Sequence, residues 1–188
     1  MPKDRSVRFA IAATVALFGA LALGACNDST GVEDGIVSRD TLTLAAPTVD
    51  SAAVPSALDL TLRGVGRFPE RTSDAGQWDV ALRLVAGQLY LRPASGTGSR
   101  LGAGILGPTS DQFEDVKTVP SRSNYPDSTV LLQVGKTYQV HSRQGNDIYG
   151  GSCYYYGKLT PVALNPTAGT ARLALRVNGT CNDRRVSE

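Results

Sequence analysis

The fold is decided by residues 153–181 near the carboxyl terminus, CYYYGKLTPVALNPTAGTARLALRVNGTC. Two runs with apolar residues at alternate positions, 154–164 and 170–178, flank the segment NPTAG at 165–169. Alternation with a period of two is typical of half-buried strands, and Asn, Pro and Gly favour a turn. The stretch therefore predicts an antiparallel hairpin folded about Thr167.

This turn also predicts which residues face one another across the hairpin. The expected pairs, from the turn outwards, are Leu164 with Thr170, Leu159 with Leu175, Gly157 with Val177, and Cys153 with Cys181. Both cysteines share the parity of the apolar residues, so we expect them on the core face. In an oxidising compartment such a pair forms a disulfide, and the chain-entropy model gives it roughly 3 to 4 kcal/mol. Tyr155 is then expected inward, and Tyr154 and Tyr156 on the opposite face.

The rest of the chain shows the same alternation. In QWDVALRLV at 77–85, the side chains expected on the core face are Trp78, Val80, Leu82 and Leu84. Further strand candidates, each bounded by Gly, Pro, Asn or Asp, are 40–44, 57–65, 88–92, 130–134 and 136–143. No window carries a capped helical stripe, and 110–117 predicts one turn or a short strand. The pattern predicts an all-β fold, an antiparallel β-sandwich or an open barrel.

A glycine-rich segment, SGTGSRLGAGILGP at 95–108, raises the question of a phosphate-binding loop. Such a loop has to lie between a strand and the start of a helix, and no helical pattern follows here. A mobile hairpin or loop near a strand edge is therefore the favoured interpretation.

The amino terminus predicts export and lipid attachment. A basic start, MPKDRSVR, precedes an uncharged run at 9–23 that is too short to span a membrane comfortably. The following LGAC, ending at Cys26, resembles the lipobox of bacterial lipoproteins, which implies cleavage before Cys26 and acylation of it; an ordinary secretory leader is the alternative. The expected organisation is a signal peptide at 1–25, a lipidated flexible tether at 26–39 and a single β domain at 40–188.

Charge narrows the range of partners. The chain has 19 basic and 17 acidic residues, and the leader holds three of the former and one of the latter, so the mature chain is balanced. With no basic tract, nucleic acid is excluded as a partner, as is electrostatic adhesion to a membrane. The expected partners are the membrane, through the lipid anchor, and an envelope protein. The expected location is the cell envelope, with the outer membrane favoured over the inner.

Several motifs in order resemble the HmuY-type lipoproteins. They are WDVAL at 78–82, FEDV at 113–116, GKTYQV at 135–140, YGKL at 156–159 and LALRV at 173–177. The resemblance implies an all-β lipoprotein domain that captures haem at the cell surface. Bis-histidine ligation needs two imidazoles, and this chain has one histidine, His141. His141 with a tyrosine is a conceivable pair, so the candidate ligand residues are His141, Tyr154 and Tyr156.

The other interpretation of His141 is an exposed strand histidine, because it shares the face of Thr137, Gln139 and Arg143, which is expected to point to solvent. Tyr154 and Tyr156 are expected to cover a second layer, line a groove or meet a partner.

Catalysis and metal binding are not expected. The single imidazole lacks a nucleophile-elbow motif, Cys26 is expected to carry lipid, and the other two cysteines are expected to pair. The candidate carboxylates, expected on turns or outer strand faces with nothing to raise one pKa selectively, are Asp79, Asp111, Glu114, Asp115 and Asp127. Two hypotheses remain: a non-catalytic lipoprotein that binds a small ligand such as haem, and an interaction domain that docks on an envelope partner through its outer tyrosines and glycine-rich loop.

Overall fold

The computed structural model describes residues 37–47, 54–61, 68–70, 78–95, 101–147 and 149–187. Cys26, the leader and most of the tether lie outside these residues, so lipid attachment and the domain boundaries stay predictions. The strands are β1 (Val37–Ala45), β2 (Ala57–Asp59), β3 (Phe68–Glu70), β4 (Val80–Val85), β5 (Gln88–Pro93), β6 (Gly104–Thr109), β7 (Val130–Leu131), β8 (Thr137–His141), β9 (Gly145–Asn146), β10 (Ser152–Cys153), β11 (Tyr156–Asn165) and β12 (Thr170–Asn178). A 3-10 turn spans Arg122–Asn124.

The strands form two five-stranded antiparallel sheets and a small ribbon. Sheet A has the order β1-β12-β11-β8-β6, sheet B has the order β3-β2-β4-β5-β7, and β9 pairs with β10. One apolar core contains side chains of both sheets, such as Leu82 and Leu91 from sheet B and Leu159 and Leu175 from sheet A. Face-to-face packing of this kind defines a sandwich. The prediction of an all-β antiparallel sandwich is confirmed.

Hydrogen bonds join the two sheets at their edges. On one side, the Tyr138 hydroxyl of β8 donates to the Leu131 carbonyl of β7 at 2.7 Å and accepts from the Gln133 amide at 2.9 Å. On the other side, the Ala45 amide at the end of β1 donates to the Pro55 carbonyl at 2.9 Å. Because these bonds satisfy backbone groups of edge segments, they fix the two sheets to each other as well as covering the core.

The carboxyl-terminal hairpin has the expected register over its outer half. Leu159 faces Leu175 and Gly157 faces Val177, as the turn predicts. A bulge between Pro161 and Ala163 shifts the half near the turn by one residue, so the expected pairing of Leu164 with Thr170 is wrong and Leu164 instead faces Ala171. A bulge adds one residue to one strand, and the simple alternation of 154–164 did not reveal it.

Trp78 does not join the main core. The strand begins at Val80 because the chain bends at Asp79. Trp78 packs instead with four buried alanines, Ala57, Ala81, Ala94 and Ala103. Val80 and Leu82 lie in the main core, as expected, and Leu84 packs against that main core. The alternation of 77–85 therefore predicted the strand correctly but extended it too far toward its start.

The second half of the glycine-rich segment is a strand rather than a loop. Residues 104–109 form β6, which pairs with β8. Gly104 is required there because an added Cβ would lie 2.5 Å from Nε2 of His141 and 2.6 Å from Cβ of Tyr125. A glycine thus marks a close approach inside a strand. Three short strands, β3, β9 and β10, were not expected from the sequence. Residues 113–115, within 110–117, form a turn.

Candidate functional site

The candidate ligand residues converge on the outer face of sheet A, the face opposite the core. His141 of β8 stands between Tyr156 of β11 and Gly104 of β6 in the strand register. Tyr154 lies just before β11, with its ring centroid 6.0 Å from that of His141. Both tyrosines face away from the main core, as the hairpin parity predicts, and the register brings them close to His141. Tyr155 packs against the core, as expected.

A second layer of chain buries this face. We define the covering layer as residues 113–125 together with 182–186. Its two parts pair with each other, since the Val119 amide donates to the Arg184 carbonyl at 3.0 Å and the Val186 amide donates to the Lys117 carbonyl at 2.8 Å. They enclose a small apolar cluster of Val116, Val119, Tyr154, Tyr156 and Val186. Tyr154 and Tyr156 are therefore buried beneath a second layer, which was one of the alternatives for them.

His141 is enclosed by aromatic rings. Its side chain is 3% exposed, so the expectation of a solvent-facing histidine is wrong. The Tyr125 ring of the covering layer meets it edge-on at 4.7 Å between centroids, and Tyr156 lies at 6.1 Å. Nδ1 lies 2.8 Å from the Ser142 carbonyl oxygen. Burial lowers the pKa of His141, an effect that the nearby Arg122 guanidinium strengthens and the hydrogen bond to Ser142 opposes.

The tyrosines around His141 differ in their polar contacts. Arg122 donates from Nη1 to the Tyr154 hydroxyl at 2.9 Å, and its guanidinium carbon lies 4.9 Å from that ring's centroid. Burial raises the pKa of Tyr125 and of Tyr156, so both phenols stay neutral in the ordinary pH range. The Tyr125 hydroxyl is buried with no hydrogen-bond partner in the described part of the chain. Two neutral phenols, packed edge-on or tilted against a neutral imidazole, make this cluster a packing unit.

These residues do not fit haem. An axial histidine needs a ring nitrogen that points into an apolar slot wide enough for the macrocycle. Here one nitrogen contacts the Ser142 carbonyl, and the other points at the glycine of β6, leaving too little room for even a methyl group on residue 104. Tyrosinate ligation is also disfavoured, because burial raises the pKa of Tyr156.

Two positively charged side chains on the outer face of sheet A bind the covering layer. The Lys158 ammonium donates to the Phe113 and Val116 carbonyls, each at 2.6 Å. Arg176, which faces Lys158 across the hairpin, forms a 3.0 Å ion pair with Glu114. Both side chains are almost fully buried. Since buried charges have to be paired or hydrogen-bonded, these contacts explain how a polar sheet face is covered at a low energetic cost.

A buried carboxylate cluster joins the two sheets at one end of the sandwich. Both Asp79 oxygens accept backbone hydrogen bonds, from Leu60 at 2.6 Å and from Arg143 at 2.8 Å. The Arg143 guanidinium pairs with Asp79 at 3.1 Å and with Asp59 at 3.4 Å. Burial raises the pKa of Asp79 to about 7, the nearby Asp59 raises it further, and Arg143 opposes the rise. The expectation that nothing raises the pKa of Asp79 selectively is therefore wrong, because the chain bends there and buries it.

The outer face of sheet B carries an open groove. Arg83 and Val85 of β4, Tyr90 of β5 and Thr129 line a volume of about 450 Å³. Val85 is half exposed, and the Tyr90 hydroxyl donates to the Gln88 side chain at 2.9 Å. No sequence motif marks these residues as a candidate site. The only available signal was parity, since Arg83, Val85 and Tyr90 are the outward positions of two predicted strands.

The predicted disulfide is present. Cys153 and Cys181 are bonded, with their Cα atoms 5.3 Å apart. Cys153 lies in β10 opposite Gly145 rather than in the long hairpin ladder, and it is buried outside the main core cluster. The pairing of the two cysteines is as expected, and Cys153 is buried. The β9–β10 ribbon presents Tyr149, which is 90% exposed, and Asp147 accepts the Tyr149 and Gly151 amides at 2.8 and 2.7 Å.

No family model, curated protein or solved structure matches this chain. Among the residues that the structure describes, no group of histidine, cysteine and carboxylate side chains is placed to hold a metal ion. The same part of the chain contains no helix with the length and apolar character needed to cross a bilayer. The resemblance to the HmuY-type lipoproteins stays a prediction.

Proposed function

We propose that this chain is an exported, lipid-anchored, non-catalytic protein of the bacterial cell envelope that binds a small ligand in the open groove of sheet B. The observation that carries the proposal is the contrast between two surfaces. The histidine and tyrosine cluster on sheet A is closely packed and buried, whereas the groove of Arg83, Val85, Tyr90 and Thr129 is open on the outer face of sheet B. Ligand sites are concave surfaces with a few convergent polar groups, and the groove has this character.

The contacts of the two buried polar clusters favour structural roles over catalytic ones. His141 uses one ring nitrogen on a backbone carbonyl and is sealed by tyrosines. Asp79 has a raised pKa, but its two oxygens and Arg143 form a link between the sheets. Perturbed pKa values occur in structural ion pairs as well as in active sites, so the contacts of the group have to decide between them. In this chain they favour structural roles for both residues.

Metabolic labelling with palmitate tests the lipid anchor. We expect the wild-type chain to incorporate label and to fractionate with the envelope, and the Cys26→Ser variant to lose the label. Label that persists in the Cys26→Ser variant, or wild-type chain found unlabelled in the cytosol, would contradict the proposal.

Haemin titration tests the choice of site. We expect no saturable Soret shift with the wild-type protein, and no difference between it and the His141→Ala variant, because the imidazole is enclosed. A saturable shift that disappears in His141→Ala would show that the covering layer opens to admit haem. That result would return His141 to the binding site and overturn the groove as the primary site.

One observation favours an interaction domain as a second candidate function. Tyr149 is highly exposed at the tip of a short ribbon whose second strand contains the disulfide residue Cys153. Exposed tyrosines on rigid supports are frequent anchors in protein interfaces. A photo-crosslinking residue at position 149, compared with one at the exposed Val134, distinguishes the candidates. A specific envelope adduct from position 149 supports docking, and equal background from both positions removes this candidate.

A further inference from the structure

Strand β1 is an edge of sheet A, and its outer side is open. Within the described part of the chain its one strand partner is β12, and the pairing runs from Val37 to Ala45 without a bulge. The Ala45 amide donates to Pro55 on the side away from β12, whereas the next amide, of Ala46, donates to Gly169 on the β12 side. Because backbone groups alternate in direction along a strand, the odd-numbered residues of β1 direct their N–H and C=O groups outward.

Thr41 and Thr43 occupy the open part of this edge. Both residues are exposed, and among the strands that the structure describes none lies on their outer side. A row of unpaired backbone donors and acceptors is a template for another strand, so proteins usually block it with proline, a bulge or a very short edge strand. Strand β1, VSRDTLTLA, has nine residues, no proline and no bulge, so none of these devices protects it.

The other three edges of the two five-stranded sheets are blocked. Strand β6 contains Pro108 and a register shift between Leu106 and Thr109. Strand β3 has three residues and contains Pro69, and β7 has two residues. Among the described strands, β1 is therefore the long and regular edge, and the blocked edges show by contrast that its open side is a specific feature of the fold.

We propose that two copies of this chain form a dimer through β1, in antiparallel pairing about a two-fold axis that passes between the two Thr41 residues. The two A sheets then make one continuous sheet, and main-chain hydrogen bonds supply the affinity, as in other cases of strand addition. A two-fold axis pairs an edge with itself, so the contact is closed and produces a dimer rather than a filament. This dimer involves the edge of sheet A and does not depend on the groove of sheet B.

Strand length, backbone direction and charge select Thr41 as the residue at the axis. Thr41 is the central residue of β1, so this register overlaps the whole strand. It is odd-numbered, so the two copies exchange both backbone hydrogen bonds across the axis. The register sets Arg39 opposite Thr43 and Asp40 opposite Leu42. No charged residue then faces a like charge, whereas an axis at Arg39 would set this arginine opposite its own copy, which is destabilising.

Cysteine cross-linking tests the register. Directly opposed residues of a hydrogen-bonded antiparallel pair have Cα atoms about 5.5 Å apart, a separation that suits a disulfide. We therefore expect Thr41→Cys in the full-length chain to give a dimer on a non-reducing gel after mild oxidation. Thr43→Cys is the matched control, because it is exposed on the same strand but its two copies would lie about 13 Å apart along the strands. Both variants are made with Cys26→Ser, since the remaining two cysteines are already bonded to each other.

Sedimentation of the chain with native Thr41 tests the dimer without an engineered thiol. We expect a dimer that dissociates on dilution. Thr41→Pro should raise its dissociation constant about tenfold or more, because proline removes an outward N–H at the axis and no hydrogen bond to β12. Thr41→Val keeps the N–H and a branched side chain, so it is the control and should leave the dimer unchanged. Urea midpoints of both variants establish that they are folded.

Cross-linking at position 41 at least tenfold above that at position 43, together with a dimer that Thr41→Pro weakens, supports the inference. Three outcomes would overturn it. They are a monomer at every concentration, equal or absent cross-linking at the two positions, or a dimer that Thr41→Pro and Thr41→Val leave equally stable. None of these measurements involves the groove or the lipid anchor, so the failure of this proposal is distinguishable from the failure of the proposed function.

Discussion

Lys158 and Arg176 face each other across neighbouring strands, and both cations lie against the same ring, that of Phe113. The distances to the ring centroid are 4.8 Å from the Lys158 ammonium and 5.5 Å from the Arg176 guanidinium carbon. These two charged side chains therefore hold the covering layer against sheet A and do not face solvent. This relationship explains why the outer face of sheet A is polar in sequence and buried in structure.

Replacing Lys158 with methionine should loosen the covering layer. The variant loses two charge-assisted hydrogen bonds to the Phe113 and Val116 carbonyls, while burial of an ammonium is relieved, so we expect a net loss of about 2 kcal/mol. Urea unfolding measures the loss, and hydrogen exchange at the Val119 amide should become faster. Lys136→Met removes an exposed lysine as the control. A Lys158→Met variant as stable as the control would contradict the assigned role.

Gly104→Ala should destabilise the sandwich by about 1 to 3 kcal/mol, because the new methyl group overlaps the His141 and Tyr125 side chains. Gly145→Ala is the matched control, since its Cβ would meet only the Cys153 carbonyl oxygen at 3.7 Å. Thermal and urea unfolding of both variants give the comparison. Equal stability of the two variants would show that the covering layer is not held against β6 as described.

The stability supplied by His141 should fall at acidic pH. Burial lowers the pKa of His141 below its ordinary value of 6.5, so below that pH the unfolded chain binds the proton more readily than the folded chain. The contribution is fully present above pH 6.5 and is lost as the pH falls through the lowered folded pKa. His141→Phe keeps a ring and removes the titration. Urea midpoints from pH 7 to 5 should decline more steeply for the wild type, and parallel declines would contradict the burial of a neutral imidazole.

Asp79 should give the opposite pH dependence. Burial raises the pKa of Asp79 from 3.8 to about 7, so the folded chain binds the proton more readily between these values. Its contribution is fully present below pH 3.8 and is lost as the pH rises to about 7. Relative to Asp79→Asn, the wild type should therefore lose stability as the pH is raised from 4 to 7. A constant difference across this range would show that Arg143 keeps the carboxylate ionised throughout.

Removing the disulfide should release the carboxyl-terminal part of the covering layer. The double variant Cys153→Ser with Cys181→Ser is expected to lose roughly 3 to 4 kcal/mol. Hydrogen exchange should become faster first at the Val186 amide, which donates to Lys117 across the covering layer, and later at Leu175 within the hairpin. Two free thiols in the unreduced wild-type protein would contradict the bond itself.

The sequence predicted the strands whose two faces differ in polarity. The period-two pattern located β4, β5, β8, β11 and β12, and the NPTAG turn predicted the hairpin register correctly beyond the bulge at Pro161 but not between that bulge and the turn. Alternation is a local property, so a pattern within one segment is enough to reveal it. The two-residue strands β9 and β10 are too short to show a period, and β6 is concealed by the glycine that its contact with His141 requires.

The candidate site was harder to predict than the fold. Outward parity placed His141, Tyr154 and Tyr156 correctly, but parity cannot show that a distant segment folds back over the same face. The covering layer is held by the backbone carbonyls of residues 113 and 116, which accept hydrogen bonds from Lys158. Because every residue has a backbone carbonyl, the sequence does not show which carbonyls accept such bonds. The burial of Asp79 and its raised pKa could not be predicted for a related reason, because the hydrogen-bond donors to its carboxylate are the backbone amides of Leu60 and Arg143.

The register of β1 places the start of this strand and the groove at opposite ends of the sandwich. Val37, where β1 begins, pairs with Asn178 at one pole, whereas Ala45, where it ends, bonds to Pro55 at the other. The strand β4 runs toward this second pole and reaches it at Val85. Val85 and the groove that it lines therefore lie at the end of the sandwich remote from Val37, so a solute entering the groove would not approach the end at which β1 begins.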